Sequence, residues 1–209
     1  DPDLEAIIAQ KPDLVIGVTS GSDPSIREEL DSADLPYAFL EMDDVSETYA
    51  GIRRVGALVG ERKRAESVVE TMRSEMNTWS VESPERRPRV LFVYGHKPLT
   101  VAGPGTFGDE LVRMAGGQNV FGDAKTKYPK IDMEKVLEID PDRIIDASMG
   151  SSSGGDFWET YDSLGAVRRG EVHRIPDPVV LRPAPRLAEG LELVRKAVRG
   201  ENGGEREQP

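Results

Sequence analysis

Asp3-Leu4-Glu5-Ala6-Ile7-Ile8-Ala9-Gln10-Lys11-Pro12-Asp13-Leu14-Val15-Ile16 recurs in outline later in the chain as Asp132-Met133-Glu134-Lys135-Val136-Leu137-Glu138-Ile139-Asp140-Pro141-Asp142-Arg143-Ile144-Ile145. Both copies begin with an acid, a large apolar residue and Glu, and both pass through Pro-Asp into apolar residues. The first acid can cap a helix, the Pro cannot continue that helix, and the β-branched residues favour a strand. Each copy therefore predicts a short helix followed by a strand. Two copies so far apart indicate two similar α/β lobes.

The repeat also places a glutamate at the same point of each predicted helix. Glu5 and Glu134 do not belong to the apolar set, so packing does not explain why they recur. The alternative interpretation is that the similarity of the two segments is a coincidence, because Pro-Asp often precedes a buried strand in α/β proteins.

The rest of the chain divides into four predicted regions. A partial N-terminal lobe covers residues 1–42, where two strands flank one helix and a short crossover predicts parallel pairing. A helical connector covers 43–84, because apolar residues recur there at three- and four-residue intervals, with a break at Gly60. A C-terminal α/β lobe covers 85–200, and a charged, Gly-rich tail at 201–209 is predicted to be disordered.

Composition excludes several classes of function. The chain of 209 residues carries 38 Asp and Glu against 27 Lys and Arg, for a net charge of −11. This charge is a poor match for nucleic-acid phosphates. There is no cysteine, which excludes disulfides, thiolate metal sites and a cysteine nucleophile. No apolar run is long enough to cross a bilayer, so direct membrane insertion is not expected. The chain opens on Asp1-Pro2 in the middle of a structural unit, and we expect further sequence upstream.

Two glycine-containing motifs allow an enzyme interpretation. Residues Gly103–Gly108 fit G-x-G-x-x-G before a predicted helix, which would suit a nucleotide-dependent oxidoreductase. The alternative is a purely structural role, in which the glycines form a tight turn that brings a helix close to neighbouring backbone. Ser152 lies in a G-x-S-x-G pattern with His173 downstream, which would suit the nucleophile and base of a hydrolase. The alternative is a flexible loop, because any Ser/Gly-rich segment matches that pattern easily.

Candidate ligand contacts follow the predicted strands. His96 lies in the turn after a strand, where α/β folds collect ligand-facing residues. His96 and His173 are the only histidines and lie far apart, so no metal site is predicted. Aromatic residues fall in or near loops at strand ends or helix starts, where pocket and packing roles are about equally expected: Tyr94, Phe107, Tyr128 and Trp158.

With these features in view, the chain resembles the helix-linked periplasmic substrate-binding proteins of ABC importers, which handle cobalamin, ferric siderophores and haem. The resemblance covers most of residues 1–199. It rests on the repeat and on the following segments: Gly103-Pro104-Gly105-Thr106-Phe107, Asp109-Glu110-Leu111, Ala115-Gly116-Gly117-Gln118-Asn119-Val120-Phe121, Tyr128-Pro129 and Arg182-Pro183-Ala184-Pro185-Arg186.

The resemblance implies two Rossmann-like α/β lobes joined by a long helix, with the first lobe incomplete here. It implies no catalysis and no cofactor of the protein's own. A small-molecule metal chelate would be held between the lobes of an extracytoplasmic protein, either periplasmic or a cell-surface lipoprotein. Glu5 and Glu134 match the positions at which family members dock on arginines of the ABC permease.

Within this family, the segments Gly103–Phe107 and Ala115–Phe121 are most similar in sequence to the cobalamin-binding branch. Tyr128 and Leu99 match positions where that branch places aromatic residues, and Arg182 matches an arginine that faces the ligand. Together with Tyr94 and His96 they form the predicted ligand-binding set. Leu99 departs from the pattern, which keeps a ferric siderophore open, and haem stays open because His96 or Tyr94 could be an axial ligand. A non-transport adaptor that has lost the pocket is a further alternative.

Overall fold

The computed structural model describes residues 4–19, 23–80, 86–148, 155–175, 178–181 and 184–201. The chain divides into two compact units, Asp1–Val69 and Glu70–Pro209. The predicted tail lies outside the described residues, apart from its first residue, Glu201. No helix among the described residues is both long enough and apolar enough to span a bilayer.

The first unit begins with α1 (Leu4–Ala9), β1 (Val15–Val18), α2 (Ser25–Ser32) and β2 (Tyr37–Leu40). The two strands pair in parallel, with Val15 opposite Tyr37, which confirms the predicted pairing. Helix α2 buries Ile26 and Leu30, the apolar side of an otherwise charged sequence.

Helices α3 (Val45–Leu58) and α4 (Arg62–Trp79) follow, and the boundary between the two units falls within α4. The break predicted at Gly60 is confirmed, because this residue has a left-handed φ of 79°. The two helices approach closely at the turn, since a Cβ on Gly56 would lie only 2.3 Å from that of Ala65. The Arg53 guanidinium donates two hydrogen bonds of 2.7 Å to the Glu66 carboxylate across the same turn.

The second unit is built on one sheet. Its strands are β3 (Arg89–His96), β4 (Leu99–Val101), β5 (Gln118–Asn119), β6 (Lys130–Ile131), β7 (Arg143–Asp146) and β8 (Val172–Arg174). The order across the described sheet is β6-β4-β3-β7-β8, and β5 also pairs with β3. Strand β3 is parallel to β5 and β7 and antiparallel to β4, so the carboxyl ends of β3 and β7 meet at one edge.

The helices described after β3 are α5 (Phe107–Met114), α6 (Met133–Ile139), α7 (Gly155–Glu159), α8 (Gly165–Arg168) and α9 (Leu187–Arg199), with a 3-10 turn at Pro178–Val180. The sequence predicts one helix around Phe157–Leu164, but the helix ends at Glu159, in α7, and α8 begins only after the predicted range, at Gly165. The core side chains include Leu91, Val93, Val101, Val136, Ile144, Trp158 and Leu164.

The repeated sequence segments adopt the same local structure. Each copy forms a helix followed by a strand, namely α1 with β1 and α6 with β7. The residue before the Pro is left-handed in both copies, with φ of 49° at Lys11 and 41° at Asp140. The helix-to-strand units predicted from the repeat are thereby confirmed.

Candidate functional site

Tyr94 lies near the carboxyl end of β3, and its hydroxyl is held inside the second unit. The hydroxyl accepts a hydrogen bond of 2.9 Å from the Gly108 backbone N–H, in the first turn of α5. Burial raises the pKa of Tyr94 well above its ordinary value, against hydrogen bonds that favour the ionised form. The phenol therefore stays neutral, and the hydrogen bond to its hydroxyl fixes the orientation of the Tyr94 ring.

Tyr128 rests against the ring of Tyr94 and presents surface to solvent. The two ring centroids are 5.5 Å apart in an edge-to-face arrangement, and Tyr128 is 42% exposed. Its segment is held by two main-chain hydrogen bonds, from Val101 N–H to the Pro129 carbonyl and from Gly103 N–H to the Lys127 carbonyl. A partly exposed aromatic ring is thus supported at the edge of the sheet, where it can contact a flat ligand.

His96 ends β3 and belongs to a buried polar cluster. Its Nε2 lies 2.9 Å from Asp146 Oδ2, at the end of β7, and 3.4 Å from Ser148 Oγ. The imidazole stacks flat on the ring of Phe157, with centroids 4.1 Å apart and an interplanar angle of 6°. The side chain is only 9% exposed.

Asp146 is the centre of this cluster, and its side chain has no exposed surface. Its carboxylate also accepts hydrogen bonds from Trp158 Nε1–H at 2.8 Å and from the Ser148 backbone N–H at 3.0 Å. A buried carboxylate needs such donors. Ser148 and Asp146 approach the same nitrogen of His96, so the three groups do not form a relay in which Asp orients one ring nitrogen and Ser uses the other.

Sequence reasoning missed Asp146, Ser148, Phe157 and Trp158 as a group. A polar residue directly after the apolar run Ile144-Ile145 was an available signal, since side chains at the carboxyl ends of parallel strands gather at one edge of a sheet. Its partners could not be found, because His96 is fifty residues away in the chain.

The other predicted ligand contacts are placed less favourably or lie outside the described residues. Leu99 is 6% exposed and packs in the core of the second unit, so little of its surface is available to a ligand. Arg182 and Ser152 fall outside the described residues. His173 is buried at the middle of β8 and pairs with Glu171 at 3.1 Å.

The glycines of the G-x-G-x-x-G stretch have packing roles. A Cβ on Gly103 would lie 2.2 Å from the Thr126 carbonyl oxygen, and one on Gly108 would lie 2.7 Å from the Phe92 ring. Gly105 is left-handed, with φ of 67°, and its N–H points to the Asp109 carboxylate at 3.3 Å. A carboxylate in the first turn of α5 would repel the pyrophosphate that a dinucleotide-binding turn receives there. The geometry therefore favours the packing interpretation.

Glu5 and Glu134 are both exposed in the first turn of their helices. Asp132 caps α6 by accepting a hydrogen bond of 2.9 Å from the Lys135 N–H, which fixes the helix start beside Glu134. Among the described residues there is no group of three or more acidic or histidine side chains arranged to hold a metal ion.

Comparison with known proteins gives a family match. The profile of a family described as periplasmic binding protein matches residues 1–179. The vitamin B12-binding protein of Salmonella typhi is 27% identical over 143 residues, which are 68% of this chain and 54% of that protein. An uncharacterized ABC transporter substrate-binding lipoprotein of Bacillus subtilis is 23% identical over 203 residues, which are 93% of this chain and 64% of that protein. The chain thus spans between half and two thirds of the length of these relatives.

Solved structures agree on the fold. A periplasmic heme-binding protein from Roseiflexus sp. RS-1 superposes with a TM-score of 0.82 at 24% identity, covering 96% of this chain and 81% of that one. The predicted fold class, α/β with two lobes, is confirmed by this likeness.

Proposed function

This chain belongs to the periplasmic binding protein family, and we propose from that premise that it is the extracytoplasmic solute-binding component of an ABC importer. The family consists of solute-binding proteins, and one matched relative carries the name ABC transporter substrate-binding lipoprotein. The motifs that allowed an enzyme interpretation are explained by packing or lie outside the described residues. No catalytic step is therefore part of the proposal.

The proposed ligand is a cobalamin-like metal chelate, and the observation that carries this choice is the supported ring of Tyr128. A ring that is 42% exposed and braced by Tyr94 offers a rigid apolar face to a flat macrocycle. His96 ends β3 and stacks on Phe157 of α7. Arg182, which lies outside the described residues, is kept in the proposed ligand-binding set from the resemblance alone. Cobalamin is favoured because the sequence resembles that branch and a matched relative is named vitamin B12-binding protein.

Haem or a ferric siderophore is the second candidate of the same class. Iron in haem takes an axial ligand from the protein. The Tyr94 hydroxyl is committed to the Gly108 N–H inside the protein, which leaves His96 as the better axial candidate of the two. Titration with each ligand class separates these alternatives.

The proposed partner is the permease of the importer. Glu5 and Glu134 are exposed at equivalent positions of the two repeated units, as expected for two docking points of the same kind. Exposed charges of this sort align two proteins and accelerate their encounter more than they add affinity.

The test is calorimetric titration of the purified protein with cyanocobalamin, haem and a panel of ferric siderophores. We expect saturable binding of cyanocobalamin. Tyr128→Ala should weaken that binding about tenfold, because an aromatic contact and its buried area contribute roughly 1 to 2 kcal/mol.

Two matched variants make the result specific. Tyr128→Phe keeps the ring and should bind like the parent protein. Leu137→Ala removes an apolar side chain that is also exposed, on α6, and should leave ligand affinity unchanged. Absence of binding by every ligand class would overturn the proposed function, whereas saturable binding of haem or of one siderophore alone would replace cobalamin with that ligand.

A further inference from the structure

The imidazole of His96 is held in one orientation by its neighbours. One face lies flat on Phe157, and the edge of Trp158 meets the ring at 84° with centroids 6.0 Å apart. Both described hydrogen-bond contacts of the ring, with Asp146 and with Ser148, are made by Nε2. The position and tilt of the ring are therefore set within the second unit.

These contacts also decide which ring nitrogen carries the proton. A carboxylate oxygen only accepts hydrogen bonds, so the 2.9 Å contact to Asp146 requires a hydrogen on Nε2. In the neutral ring, Nδ1 is then an acceptor with a free lone pair. Among the described residues no side-chain nitrogen or oxygen is both buried and without a partner, and no contact of His96 uses Nδ1. This atom therefore reaches the surface.

The buried carboxylate of Asp146 is the second feature of this cluster that bears on the choice of ligand. Asp146 is fully buried, and its described hydrogen-bond donors are His96, Trp158 and the Ser148 backbone. No Arg or Lys among the described residues forms an ion pair with it. When the imidazole is neutral, the ring thus has the buried carboxylate on one side and an acceptor atom on the other.

We propose that His96 meets the ligand as a neutral imidazole whose Nδ1 accepts a hydrogen bond from it, and that the second unit therefore selects a macrocycle edged with carboxamides over one edged with carboxylates. This inference rests on the proposed function and refines its ligand class. An amide N–H can donate to Nδ1, whereas a carboxylate offers two acceptors to an acceptor and approaches a buried negative charge.

The test compares two probes that share a ring and a metal. Dicyanocobinamide has a corrin edged with carboxamides, and dicyanocobyrinic acid has the same corrin edged with carboxylates. We expect the amide probe to bind the parent protein at least tenfold more tightly. The net charge of −11 also repels the acid probe, whatever His96 does. The readout is therefore the ratio of the two affinities, amide probe over acid probe, and how substitution of His96 changes it. Both affinities are measured in 0.3 M salt to screen distant charges.

Two substitutions of His96 carry opposite expectations. His96→Phe keeps the stack on Phe157 but removes the acceptor, and the ratio should fall at least fivefold. His96→Gln keeps both a donor for Asp146 and an acceptor for the ligand, and the ratio should stay within threefold of the parent value. If His96→Phe does not fold, the double variant His96→Phe/Asp146→Asn removes the buried charge as well and carries the same expectation.

Each outcome is decisive. An unchanged ratio in the acceptor-free variant would overturn the inference while leaving the proposed function intact. Haem binding with an imidazole-type spectrum that His96→Phe abolishes would also overturn it, since Nδ1 would then be a metal ligand. Failure of both corrinoids to bind the folded parent protein would remove the proposed cobalamin-like ligand, and this inference with it.

Discussion

Among single residues, Tyr94 connects the stability of the second unit most directly with its proposed ligand surface. Its hydroxyl satisfies a backbone N–H at the start of α5, and its ring supports Tyr128. One side chain thus completes a helix start and positions an exposed aromatic ring.

We predict that Tyr94→Phe lowers the free energy of unfolding by about 1 to 3 kcal/mol, because the Gly108 N–H loses its acceptor in a buried setting. Chemical denaturation monitored by circular dichroism measures this change. Tyr161→Phe is the control, since it also removes a phenol oxygen in the same unit. An equal effect of both substitutions would contradict the assigned role.

The same residue predicts an alkaline effect. Because burial raises the pKa of Tyr94 in the folded protein, its contribution is fully present below the ordinary tyrosine pKa of 10.0 and is lost as pH rises above it. The stability difference between the parent protein and Tyr94→Phe should therefore shrink between about pH 10 and 12. A difference that stays constant over this range would contradict the pKa shift.

For the elements, the turn into α5 shows how glycines place a neighbouring loop. Gly103 allows the chain to pass against the carbonyls of Thr126 and Lys127, in the segment that leads to Tyr128. Gly105 has open space where its Cβ would lie but a left-handed backbone. The two glycines are needed for different reasons, and their substitutions should differ accordingly.

Gly103→Ala should cost about 3 kcal/mol, because the added Cβ meets main-chain oxygen that moves only if the loop moves. It should also weaken ligand binding, since the loop carries Tyr128. Gly105→Ala should cost about 1 kcal/mol through backbone strain alone and leave affinity unchanged. Thermal unfolding and calorimetric titration of both variants test this, and equal affinity losses would contradict the separate roles.

Most elements could be predicted from the sequence, because local signals decide them. The repeat gave both helix-to-strand units, and Gly60 gave the break between α3 and α4. The end of α7 at Glu159, inside the range predicted as helix, was missed, because Trp158 and Leu164 both pack into the core and no local pattern encodes that packing. The pairing of His96 with Asp146 depends on the adjacency of β3 and β7, which no local pattern encodes.

Across the whole molecule, the relevant feature is charge. An acidic surface keeps such a protein soluble, but it does not specify which carboxylates meet a partner. Glu5 and Glu134 are distinguished by recurring in the repeat and by lying exposed at the same point of two helices. These two properties are the basis on which we propose them as the permease-docking residues.

The double variant Glu5→Gln/Glu134→Gln should associate with the permease about tenfold more slowly at low salt, because two steering charges are lost. The difference should shrink in 0.5 M salt, and ligand affinity should not change. Surface plasmon resonance with permease in nanodiscs measures these rates. The control is Glu28→Gln/Glu138→Gln, which changes the net charge by the same amount. If both double variants slow association equally, the effect comes from net charge and the docking role of Glu5 and Glu134 is contradicted.

The buried position of Trp158 has a practical consequence for spectroscopy. The protein has two tryptophans, and both Trp79 and Trp158 belong to the second unit. Trp158 is 1% exposed and donates to the same carboxylate that orients His96, so its emission should respond when that cluster is disturbed. Intrinsic fluorescence is consequently a local gauge of the second unit. A ligand that changes the emission therefore acts on that unit.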